Sequence, residues 1–158
     1  MEATLETLSA YEIERGKPMP DTIHAAIQTK LGFELRTKYH EQFRILSELS
    51  LATMPDGTTP DLALYPAFML DYDHRQARRT DPPLLCIEIQ SPSQSPEEMV
   101  AKTEVYFRFG VQACWIVQPA MQCVFVYEQP GRFKVFYGDD VLRDEKLGIE
   151  LPLAAVFA

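Results

Sequence analysis

The chain has 158 residues, of which 46% are apolar and 24% charged, enough to bury a core and too apolar for wholesale disorder. Asp plus Glu is 23 against 15 Lys plus Arg, a formal net charge of −8. That balance excludes a protein that coats nucleic acid by bulk charge, while leaving room for a local basic groove or an acidic metal site.

The three cysteines (Cys86, Cys114, Cys123) make no CxxC pair and fall in apolar, strand-like segments, so buried free thiols are expected rather than a disulfide framework or zinc site. No apolar run approaches the length of a membrane span, and the first residues lack the basic start and apolar block of a signal peptide. No membrane association and a cytoplasmic location are the expectation.

Residues 1–15 read as a Glu-rich lead. "GKPMPD" (16–21) is a breaker ending in Asp21, a helix N-cap. Ile23, Ala26, Ile27, Leu31 and Leu35 then recur at helical spacing, predicting a helix over 22–38. "QFRILSELSLAT" (42–53) is close to period two and reads as one strand, "MPDGTTP" as a turn, and "PDLALYP" (60–66) as a second strand. Residues 71–82 form a polar, exposed loop, and "PLLCIEIQS" (83–91) an apolar strand holding one carboxylate. "SPSQSPEE" is a helix start with Ser95 or Ser93 as N-cap and Pro96 near N1; the helix runs to Phe109 and stops at Gly110. Three further strands follow, the last two joined as a hairpin at Gln129-Pro130-Gly131-Arg132, then an irregular strand and a short terminal segment. The element order α-β-β-β-α-β-β-β, with no composition break, predicts an α/β fold in one domain (residues 1–158, core about 20–138, tail 139–158): a mixed β-sheet flanked by helices.

Three polar residues stand out. Glu88 lies between two isoleucines in an apolar strand, where a carboxylate is costly unless paired or metal-bound; strand alternation could equally turn it to solvent. Asp61 opens a strand, where a side chain can enter a cleft, although Pro-Asp is also common in turns. Two such carboxylates and a backbone carbonyl make the oxygen-only shell that Mg²⁺ prefers. Lys102 lies one turn after Glu98 and one before Tyr106 on the helix that follows Glu88; it can reach back over the strand end, or pair with Glu98 at the surface.

"TPDLALYP" (59–66), "LLCIEIQSPS" (84–93), then Glu98, Lys102 and Tyr106, "FGVQACWIVQP" (109–119) and "VFVYE" (124–128) together resemble the Uma-two family of restriction endonucleases, part of the PD-(D/E)xK nuclease superfamily. "GKPMPDTIHAAIQTKL" also looks like that family's N-terminal region. The resemblance implies a restriction-endonuclease-like core and hydrolysis of DNA phosphodiester bonds with Mg²⁺ or Mn²⁺. It implies Asp61 and Glu88 as metal ligands with the Ile89 carbonyl as a third. Many superfamily members carry lysine two residues after the glutamate; here that residue is Gln90, so Lys102 is the expected substitute for positioning water, with Gln90 supporting it by hydrogen bonding.

Glu14 and Glu48 are further carboxylates for the shell, and His24 either faces the cleft or caps its helix. Tyr65, Tyr72, Arg75, Arg78 and Arg79 are candidates for a phosphate-binding rim, with a solvated loop as the simpler reading. No histidine pair has zinc-protease spacing, and no GxGxxG, Walker A or GxSxG pattern occurs. The rival expectation is a catalytically silent binding or assembly module on the nuclease fold, consistent with the negative charge and the missing lysine at position 90. A homodimer is expected by analogy, since two sites cut two strands, with "LPLAAVF" as the segment for burial against a partner.

Overall fold

The structure, a computed structural model, describes residues 12–13 and 16–158. Asp21, in extended conformation, accepts a hydrogen bond from the His24 N–H and starts α1 (Thr22–Tyr39). The buried stripe of α1 is His24, Ile27, Leu31 and Leu35; Ile23, expected on that face, is exposed. The chain continues through β1 (Phe43–Ser47), β2 (Ser50–Leu51), β3 (Leu62–Pro66), β4 (Arg78–Arg79) and β5 (Leu85–Ile89). Next is α2 (Pro96–Phe109), with Ser95 as N-cap and Pro96 in its first turn. Gly110 ends it in the left-handed region at φ 112°, where a β-carbon would also come 3.0 Å from the Pro82 ring. β6 (Ala113–Gln118), β7 (Cys123–Gln129), β8 (Arg132–Tyr137), β9 (Val141–Asp144), β10 (Ile149–Pro152) and α3 (Ala154–Phe157) complete the described chain.

Six strands form the central sheet in the order β1-β3-β5-β6-β7-β8; only β5 and β6 run parallel, with α2 as their crossover. The fold class is the mixed, helix-flanked sheet that the element order predicts. Strand alternation sends Leu62, Leu64, Leu85, Ile87, Ile89, Trp115 and Val117 to one face, against Ile27, Leu31 and Leu35 of α1 and the C-terminal residues. Ala63, Tyr65, Cys86, Cys114 and Ile116 go to the other, against Met99 and Tyr106 of α2. Because both faces are covered, every residue of β5 is buried, Glu88 included; the alternation that could have placed it in water places it under α2 instead.

Two expectations fail for tertiary reasons. The single strand over 42–53 is broken at Glu48, whose φ of 55° turns the chain out of the sheet; β2 then pairs in parallel with β4, which forms inside the loop expected over 71–82. The tail is an antiparallel β9–β10 hairpin followed by α3, and Leu142, Ile149, Leu151, Leu153 and Val156 fill the larger core cluster. Leu151, Leu153 and Val156 of "LPLAAVF", the segment named for burial against a partner, are buried in their own chain. Asp144 anchors the hairpin: buried, it accepts from Trp115 Nε1 at 2.9 Å and from the Leu147 N–H at 3.1 Å. The three cysteines are buried free thiols, and no helix among the described residues is long and apolar enough to cross a membrane.

Candidate functional site

The site lies where β3 begins and β5 ends. Leu62 pairs with Ile87, so the same antiparallel register sets Asp61 opposite Glu88. Both are buried, at 0% and 1% exposure, and lost hydration makes that position costly for carboxylates without strong partners. Each carboxylate is held from several sides. Asp61 Oδ2 accepts from the Ile89 N–H at 2.7 Å. Asp61 Oδ1 lies 2.7 Å from Lys17 Nζ and 3.0 Å from His24 Nε2. Glu88 Oε2 lies 3.3 Å from the same Lys17 Nζ, while its Oε1 accepts a hydrogen bond from the Tyr106 hydroxyl and stands 3.7 Å from Lys102 Nζ.

Two elements behind this arrangement follow from local sequence. The Ser95 cap and Pro96 fix the start of α2, which sets Lys102 and Tyr106 one turn apart over Glu88. The Asp21 cap fixes the start of α1, which puts His24 on the buried stripe. Gln28, one turn further, donates to the Asp61 carbonyl at 3.1 Å and lies 3.5 Å from Glu48 Oε1.

Burial raises the Asp61 pKa, but contact with His24 and the charge of Lys17 more than offset this and hold it at about 2. Asp61 is therefore a carboxylate at any physiological pH. Burial, and then the Glu88 charge, push the Tyr106 hydroxyl far above its ordinary value, so it stays a proton donor to Glu88. His24 is 2% exposed; its Nε2 contact with Asp61 is not an aligned hydrogen bond, and its Nδ1 has no protein partner among the described residues.

Asp61, Glu88 and Lys102 thus lie together. Ile89 enters through its N–H, on Asp61, where its carbonyl was the expected contributor. Gln90 has other partners: its Nε2 donates to the Gln94 carbonyl and its Oε1 accepts from Gln118 Nε2, both at 2.9 Å. Of the weaker candidates, His24 is in the site and Glu48 borders it through its own N–H to the Asp61 carbonyl at 3.2 Å; Glu14 lies outside the described residues. Tyr65 and Arg79 are spent internally: Arg79 makes a two-pronged contact with Asp81 and covers the Tyr65 ring at 4.1 Å, and the Tyr65 hydroxyl donates to the Asp81 carbonyl. Arg78 donates to Ser50, and Tyr72 is 82% exposed.

Lys17 is the residue that sequence reasoning missed. It comes from the breaker before α1, 44 positions from Asp61 and 71 from Glu88, and no periodicity marks it. His24 did leave a signal: with Ile27, Leu31 and Leu35 it falls on one helical stripe.

The donor set suits a hard divalent cation, since two oppositely mounted carboxylates already share one positive centre. Among the described residues no group of three His, Cys, Asp or Glu is gathered to enclose a metal.

The similar solved structures include the "putative nuclease belonging to DUF820 from Anabaena variabilis ATCC 29413", at 24% identity and a TM-score of 0.76, covering 89% of this chain and 83% of that one. The likeness shows a shared fold. No curated protein matches. The Uma2 (Uma-two) family, described as "Putative restriction endonuclease", matches residues 6–154. Nearly the whole chain is covered by that match, and the protein belongs to the Uma2 family.

Proposed function

We propose that the protein is a nuclease that hydrolyses DNA phosphodiester bonds with Mg²⁺ or Mn²⁺ held by Asp61 and Glu88. The observation that carries this reading is the convergence of two buried carboxylates, from adjacent strands, on a single cation position with a second ammonium alongside. A divalent cation there would acidify its water and offset the charge developing on the phosphate. The protein's own groups divide the remaining work. The Ile89 N–H and His24 hold Asp61, and Tyr106 holds Glu88, so both carboxylates are oriented toward the shared position before a cation arrives. Lys102, whose side chain is 20% exposed, is the cation on the solvent side of the pair, able to hold an attacking water or a phosphate oxygen.

A second reading is a catalytically silent binding or assembly module, and Lys17 favours it: an ammonium sits between the carboxylates. Nicking of supercoiled plasmid separates the two. Wild type should nick with Mg²⁺ or Mn²⁺ and stop with chelator, and Asp61→Asn should lower the rate at least about 100-fold. Lys102→Ala should lower it at a temperature where the variant remains folded. Absence of nicking, together with no metal-dependent melting shift in wild type, establishes the silent module.

A further inference from the structure

We propose that Lys17 and the divalent cation compete for one position: the Lys17 ammonium holds the Asp61–Glu88 pair together in the metal-free protein and withdraws when metal binds. The inference rests on the metal reading of the site. Its basis is geometric. Lys17 Nζ bridges the two carboxylates at 2.7 and 3.3 Å, and the side chain is 3% exposed. A metal at the same point would draw each oxygen inward by roughly 1 Å, to the 2.0–2.1 Å that Mg²⁺ demands.

Charge opposes joint occupancy: a divalent ion close enough to bond both carboxylates would stand directly beside the buried Lys17 ammonium, which lies 2.7 and 3.3 Å from oxygens of the same two groups. The chain also permits withdrawal. Lys17 lies in a breaker rather than a helix or strand, beside Gly16 at φ 76°, where a β-carbon would meet nothing within 4 Å among the described residues. Its long flexible stem lets the charge move while the backbone shifts little. Lys17 would then do in the resting protein what the metal does in the loaded one, keeping two like charges together at the site.

Calorimetric titration of the full chain with Mn²⁺ tests this. Lys17→Met keeps the stem and removes the charge, and should bind Mn²⁺ at least about tenfold tighter than wild type. Equal or weaker binding overturns the competition. A measurement on wild type covers the case in which the variant does not fold. Acetic anhydride, read by mass spectrometry, should leave Lys17 unmodified in the metal-free protein and modify it like a surface lysine once Mn²⁺ saturates. Continued protection of Lys17 with Mn²⁺ bound overturns the proposal while leaving the nuclease reading intact. If neither protein binds Mn²⁺, the metal reading falls, and the competition with it.

Discussion

Two regions of the sheet bring opposite charges into contact. At the β3–β5 end, Lys17 meets Asp61 at 2.7 Å with both side chains 3% exposed or less. At the β7–β8 hairpin, Arg132 meets Glu128 at 2.6 Å, but those side chains are 70% and 49% exposed. The distances are nearly the same, yet water decides what they are worth. An exposed pair gains little over its hydrated partners and is screened by salt. A buried pair has given up its hydration, so removing one member strands the other in a medium that cannot solvate it. The hairpin pair is adjustable decoration; the strand-end cluster is a set of mutual obligations.

Substitution at Asp61 should separate the regions most. Asp61→Ala strips partners from Lys17, His24 and the Ile89 N–H at once, and should destabilise by about 3–5 kcal/mol in urea unfolding. A loss under about 1 kcal/mol would put the buried cluster in the same class as the hairpin.

Acid titration should give the next largest effect. The folded pKa of Asp61, about 2, lies below its ordinary 3.8. A depressed carboxylate stabilises the fold above its unfolded pKa and loses that contribution as pH falls, here between about 4 and 2, by about 2 kcal/mol. Unfolding free energies measured across that window in wild type and Asp61→Asn should converge toward the acid end; parallel curves would contradict the assigned shift.

Tyr106→Phe removes the donor to Glu88 and keeps the packing, and should cost about 1–2 kcal/mol by chemical denaturation. The smallest effect is expected at the hairpin: Arg132→Ala should shift stability by no more than about 0.5 kcal/mol, and salt should erase the difference. A larger, salt-resistant loss there would break the comparison from its weak side.

Much of the site was legible because local rules placed its parts. A capped helix following the Glu88 strand brings Lys102 and Tyr106 over that strand, and spacing alone shows that they share a face. An Asp at a strand start and a Glu in a second strand can meet if the strands pair, as β3 and β5 do. The partners of Gln90, Gln94 and Gln118, were not legible because they come from the following loop and a parallel neighbour. The break at Glu48 was hidden because composition favours a strand on both sides of it, and only pairing shows that β1 and β2 belong to different sheets.

Sequence by itself determined where the two long helices start, where the second one stops and the β7–β8 turn, since caps, glycine stops and turn residues act over a few residues; that Asp61, Glu88 and Lys102 belong together came from the family resemblance. Tertiary structure alone decided that β5 is covered on both faces, that the terminal hairpin and helix complete the core, and that Lys17 stands between Asp61 and Glu88. A contact across 44 or 71 residues leaves no local trace. It arises because buried carboxylates need a counter-charge, and the folded chain brings this lysine within reach.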